Sequence, residues 1–145
     1  MTIGSADGLE TLAAAEREFA TLEVQLGPAH RDTLRALERL ADRQLALGRQ
    51  AAALASYQRG HTLAEVALGA DDVDTLSLAN SLVECLLEQD GAAEALVLCR
   101  PLVERRRRVL GETHVATLTS LNNLAVCYGN LGRADEALPL LKRVL

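Results

Sequence analysis

Three histidines, three cysteines and one run of arginines are the residues of this chain best suited to chemistry. A metal site needs three or four ligands converging within ~2 Å of one ion. His30 and His114 stand at the same place in two non-adjacent copies of an internal repeat, with a whole copy between them, so they cannot share an ion. Ordering the loop that enters a helix is the role expected of both, and the three histidines with His61 do not make up a metal-ligand set. Cys85, Cys99 and Cys127 have apolar neighbours and no evident activating charge, so they read as small hydrophobes of a packed interior. The run Glu104-Arg-Arg-Arg-Arg-Val109 lies in the last turns of a helix, where cations complement the dipole. Arg105 and Arg108, at i and i+3, could together hold a phosphate or an acid. A short basic run in an acidic chain reads first as a solvated face. The paired carboxylates Asp71-Asp72 and Glu84 with Glu88 imply no pocket. There is no Gly-rich phosphate loop, no Gly-x-Ser-x-Gly elbow and no His-Glu-x-x-His. No enzyme, cofactor or metal is expected.

The elements that must position these residues are helical. The chain has 145 residues, room for one domain or one array of small repeats. Phe19, Tyr57 and Tyr128 are its only aromatics, and Leu and Ala supply most of the apolar content. That mix favours helices and disfavours a β-sandwich. The net charge of -5 opposes a general nucleic-acid role. No apolar run approaches the ~20 residues that span a bilayer, so no membrane role is expected. Residues 1–8 show no basic segment followed by an apolar one, so no secretory signal is expected there. With an odd number of cysteines, this points to a reducing, cytoplasmic setting.

Self-similarity organises the rest. Leu26-Gly27 recurs as Leu68-Gly69 and Leu110-Gly111, 42 residues apart each time. In that register Thr33-Leu34 matches Thr75-Leu76 and Thr117-Leu118, and Leu40 matches Leu82 and Leu124. Ala53-Leu54 matches Ala95-Leu96 and Ala137-Leu138. The expected organisation is a half repeat at 9–25 (a second helix alone), repeats at 26–67 and 68–109, and a truncated repeat at 110–145. Each repeat predicts two helices, in the first copy from about Asp32 to Leu47 and from about Gln50 to Val66. The Thr or Asp before the apolar run is the expected N-cap. The mid-repeat glycine (Gly48, Gly91 slipped by one residue, Gly132) is the expected left-handed residue that ends the first helix. Pro101 should kink its helix, whereas Pro139 falls near a helix start, where a missing N–H matters less. Short connections make the two helices antiparallel neighbours, and stacking of copies buries a continuous core.

The third copy reads Leu121-Asn-Asn-Leu-Ala125, Tyr128, Gly132-Arg133, Asp135-Glu-Ala-Leu-Pro-Leu140, Lys142-Arg143. This resembles a tetratricopeptide repeat, whose small–large ladder falls on Leu124, Ala125, Tyr128, Gly132, Ala137 and Leu141. The 42-residue period and the opening Leu-Gly-x-x-His-x-x-Thr-Leu are similar to the kinesin-light-chain subtype, with Asp72 replacing the histidine in the second copy. The resemblance implies an all-α, right-handed α-solenoid of about seven helices, with first helices lining a concave groove and second helices on the back.

By repeat position the groove takes Arg35, Glu38, Arg39 and Asp42 from the first copy. The second gives Ser77, Asn80, Ser81, Glu84, Leu87 and Glu88. The third gives Thr119, Asn122, Asn123, Val126 and Asn130. The resemblance implies that groove asparagines, here the equivalent Asn80 and Asn122, hold the backbone of an extended peptide, since an amide both donates and accepts. Glu38-Arg39 stands in the first copy where the third has Asn-Asn. Arg35 and Arg39 against Glu38, Asp42, Glu84 and Glu88 leave a groove charge of -2, which suits a neutral or mildly basic peptide better than an acidic one. The expected function is a protein-interaction scaffold. The alternatives are a self-associating assembly module, with a homo-oligomer through the apolar C-terminal hairpin, or the sensor segment of a larger regulatory NTPase.

Overall fold

The computed structural model describes residues 6–144, with the backbone alone for Ala6 and Val144. The reading of residues 1–8 as lacking a leader, and the apolar ending at Val144 and Leu145, fall largely outside that range. Seven helices make up the described chain: α1 (Ala6–Leu26), α2 (Arg31–Ala46), α3 (Gln50–Leu68), α4 (Val73–Glu88), α5 (Ala92–Leu110), α6 (Val115–Asn130) and α7 (Ala134–Val144). No strand occurs among the described residues. The chain divides within α4 into two compact units, one ending at Leu78 and the other beginning at Ala79.

Two of the first helices, α2 and α6, are capped by a different residue from the Thr or Asp expected, whereas α4 does have an aspartate. His30 and His114 stand at the N-caps of α2 and α6 with extended backbones, and the Nδ1 of each accepts from the amide two residues on, Asp32 N at 3.1 Å and Ala116 N at 3.0 Å. Asp72 serves α4 in the same way, its Oδ1 accepting from Asp74 N at 2.9 Å. A ring nitrogen and a carboxylate are interchangeable here because the cap needs only a lone pair at that reach. The threonines turn inward instead. Thr33, Thr75 and Thr117 are buried, and their hydroxyls donate to the carbonyls of Leu22, Ala64 and Gly111.

The mid-repeat turns follow one rule with two residue types. Gly48 and Gly132 take φ of 76° and 73°, the left-handed values expected of them. In the second copy that conformation falls to Asp90, at φ 59°, while Gly91 has φ -91° and precedes α5 as its N-cap. Asp90 keeps the spacing, and Asp tolerates this region better than most residues because its short side chain bonds locally.

Helix α5 runs through Pro101. The carbonyl that loses its donor is that of Val97; both residues are exposed, so water can take the place of the missing bond. Pro139 stands sixth in α7, not near its start, and it too removes an intrahelical bond, to Asp135.

In the first unit Leu12 and Ala15 of α1 cluster with Leu37 and Leu40 of α2, and Phe19 and Leu47 pack against them. Tyr57, Gly60 and Ala64 of α3 are buried in the same unit. A methyl group on Gly60 would sit 3.1 Å from Leu78 Cδ2, so α4 approaches α3 closely there. In the second unit Leu82, Val83 and Leu86 of α4, Ala95, Leu96, Leu102 and Val103 of α5, and Leu121, Leu124 and Ala125 of α6 are buried. Burial of Leu40, Leu82 and Leu124, each 42 residues from the next, puts one leucine of every first helix in the interior.

Candidate functional site

In the first unit the candidate residues of α2 are engaged with their neighbours. The Arg31 guanidinium grips Asp72 at 2.7 Å and also binds Asp74. Arg35 reaches Asp74 at 3.1 Å. The Arg31 hydrogen bonds hold the Asp72 carboxyl below the usual carboxylate range, and Asp72 and Asp74 together push the Arg31 guanidinium up. Glu38 accepts from the Ser77 hydroxyl at 2.9 Å, Arg39 pairs with Glu18 of α1, and Asp42 accepts from the Tyr57 hydroxyl. Both groove arginines are therefore matched by acids, Asp74 and Glu18, that lie outside the expected groove set.

In the second unit the structure brings Asn80, Glu84 and Asn123 together and adds Ser120. Asn80 Oδ1 accepts from Ser120 Oγ at 3.3 Å and from Asn123 Nδ2 at 3.2 Å. Asn80 Nδ2 donates to Glu84 Oε1 at 3.1 Å, and Asn123 Nδ2 approaches the same oxygen at 3.3 Å. Asn123 is only 8% exposed and Ser120 is fully buried. This network joins α4 to α6. The carboxamide of Asn80 is thus occupied by the next first helix, whereas its equivalent Asn122 is exposed. Val126 and Asn130 are exposed on α6 as well, and Glu84, Glu88 and the half-buried Ser81 and Leu87 lie on α4. The carboxylates of Glu84 and Glu88 face no cation among the described residues.

Two positions that matter here carried no weight in the sequence: neither Ser120 nor Arg31 was among the candidates. Their partners lie 40 to 43 residues away, close to the repeat period. Pairing polar residues one period apart is the signal that would have found them.

The other chemistry-bearing residues are built into the interior. All three cysteines are buried and free. The Cys99 thiol donates to the Ser120 carbonyl at 3.4 Å. Its hydrogen bond with Cys127 and its burial push its pKa up, and burial pushes up Cys85, so both are kept as thiols. Within the arginine run, Arg106 is 7% exposed and binds the Ala116 carbonyl at 3.0 Å and the Ser120 hydroxyl at 2.8 Å. Arg107 pairs with Glu104 at 2.8 Å. No group of three or more His, Cys, Asp or Glu able to hold a metal occurs among the described residues. No helix among them is long and apolar enough to cross a membrane. Among the described residues, one shallow hollow lies beside Pro28, Gln58, Arg59, Thr62 and Leu63, and another beside Asp90, Ala92, Ala93, Leu131 and the candidate Asn130.

Comparisons with known proteins bear on this arrangement. No curated protein matches the sequence. A family model described as tetratricopeptide repeat matches residues 74–145. Among solved structures, the chain is similar to a Podosopora anserina protein described as a kinesin light chain with nearly identical TPR-like repeats. Its unsubstituted form superposes with a TM-score of 0.87 and a single-substitution variant with 0.88, each at 23% identity over 94% of this chain and 65% of that one. It is also similar to BtubC (BKLC) from P. vanneervenii, with a TM-score of 0.73 and 16% identity over 96% of this chain and 70% of that one. The chain therefore spans about 65% of the length of the Podosopora anserina structures it matches. These likenesses give the fold, an α-solenoid of helix pairs. The family match identifies residues 74–145 as tetratricopeptide repeats, and the structural likenesses extend that helix-pair fold over the rest of the described chain.

Proposed function

We propose that this chain is a protein-interaction scaffold that takes an extended segment of a partner along the exposed faces of its first helices. Tetratricopeptide repeats support the general role, since helix pairs of this kind present surface rather than a catalytic pocket. The observation that carries the finer reading is the face of α4 and α6 in the second unit. Helices that bury their leucines on one side leave Ser81, Glu84, Leu87, Glu88, Asn122, Val126 and Asn130 along the other, with Val126 39% exposed. Such a face offers amide groups for a peptide backbone, one apolar seat and two carboxylates that pair with no cation among the described residues. Neutral or mildly basic segments are the chemistry it suits, because Glu84 and Glu88 put two carboxylates on this face. Asn80 contributes by holding α6 in place rather than by reaching a ligand.

The test is selection of binders from a random peptide display library against the intact chain. Selected peptides are expected to carry lysine or arginine beside an apolar residue. Val126→Asp and Glu88→Lys should each weaken their binding about tenfold, the loss typical of a significant interface position. Selected peptides that bind both variants as well as the unaltered chain would refute this site.

A further inference from the structure

Cys99 of α5 and Cys127 of α6 meet in the interior of the second unit, both fully buried and both free. The Cys99 thiol donates to the Ser120 carbonyl at 3.4 Å, and its side chain also hydrogen-bonds with that of Cys127. Ser120 and Cys127 stand about two turns apart on one side of α6, so that side faces Cys99 at both points. The buried Arg106 guanidinium binds the Ser120 hydroxyl at 2.8 Å and brings a cation to the same place. Cys85, buried on α4, instead receives Gln89 Nε2 on its sulfur at 3.3 Å. One copy earlier the positions equivalent to Cys99 and Cys127 hold Tyr57 and Cys85, so the junction of α5 with α6 alone has a thiol at both. Neither Cys99 nor Cys127 belongs to the peptide-binding face.

We propose that Cys99 and Cys127 form a dithiol modification site, at which a peroxide is reduced to water and the two sulfurs are joined in a disulfide that ties α5 to α6. The Cys99 hydrogen bond holds the Cys127 thiol below its ordinary pKa, so Cys127 is the sulfur that ionises first. Its thiolate attacks one peroxide oxygen, the O–O bond breaks, and the departing hydroxide takes the proton that Cys127 released, leaving a sulfenic acid and one water. The Cys99 sulfur then attacks the Cys127 sulfur, the S–O bond breaks, and the hydroxide leaves with the Cys99 proton as a second water. Two electrons pass from the sulfurs to the peroxide. Arg106 favours loss of the Cys99 proton, which the hydrogen bond with Cys127 and burial otherwise oppose. Because both thiols are buried, a small oxidant reaches them when the packing of α6 on α5 opens locally.

Treatment of the folded, intact chain with hydrogen peroxide, followed by alkylation in denaturant and mass spectrometry, tests the proposal. The chain is expected to lose about 2 Da, the mass of the two thiol hydrogens, and to keep one alkylatable cysteine. Cleavage after glutamate separates Cys85, Cys99 and Cys127 into three peptides, and the linked pair should be those of Cys99 and Cys127. In an unfolded chain loop closure favours Cys85 with Cys99, the pair nearest in sequence, so the same oxidation in guanidinium should shift the link to that pair. Cys85→Ala should form the Cys99–Cys127 link as the unaltered chain does. Cys99→Ala should leave a sulfenic acid on Cys127 that dimedone traps. A folded chain that keeps all three thiols alkylatable, or that links Cys85, would overturn the proposal.

Discussion

At the scale of single residues, Asp72 links the fold to pH. It stands where the other two copies have histidine, caps α4 and holds Arg31. Its pKa is lowered from the usual carboxylate value, first by the Arg31 hydrogen bonds. A carboxyl depressed in the folded state contributes stability that is complete above its unfolded pKa of about 3.9 and is lost as pH falls through the lower folded value. Asp72→Asn keeps an oxygen for the cap but removes the charge. Acid unfolding followed by circular dichroism should therefore show a smaller loss of stability below about pH 4 in the variant than in the parent. The cap itself was hidden in the sequence: threonine and aspartate are better-known caps than histidine, and Thr33, Thr75 and Thr117 are spent on carbonyls inside. The repeated histidine was visible, and its expected loop-ordering role agrees with the bonds it makes.

At the scale of elements, helix existence followed from the apolar spacing because each first helix must bury one stripe. Leu124 lies on that stripe at 7% exposure. Leu124→Asp should abolish cooperative thermal unfolding of α6 and its neighbours. An unpaired buried carboxylate costs several kcal/mol, against a total of roughly 5–15 kcal/mol for a domain. Leu124→Ala should remain folded but lose about 2–4 kcal/mol in denaturant titrations. Unchanged melting of the aspartate variant would show that Leu124 is not packed as described. Ends of elements were less legible than their middles. Asp90 took the left-handed position because spacing, rather than glycine, fixes where the turn must reverse. Pro139 fell inside α7 because its start depended on a turn, not on apolar periodicity.

At the scale of the whole molecule, the 42-residue period made the fold class readable, since stacked copies of one helix pair are the arrangement that buries a recurrent apolar face. The candidate face was readable only as a set of positions. Periodicity says which side chains lie off the core, but not which of them spend their polar groups on one another. Asn80 and Asn122 are one residue type at one repeat position, yet one is tied to Ser120 and Asn123 and the other is exposed. Arg35 and Arg39 counted as groove cations until Asp74 and Glu18 were seen beside them. The central claim is that partner segments lie on the first helices. Backbone amide shifts of the 15N-labelled intact chain, recorded on addition of a library-selected peptide, test it most directly. Shifts are predicted to concentrate on Ser81, Glu84, Leu87, Glu88, Asn122, Val126 and Asn130. Shifts centred instead on second-helix residues such as Gln58, Arg59, Thr62 and Leu63 would contradict it.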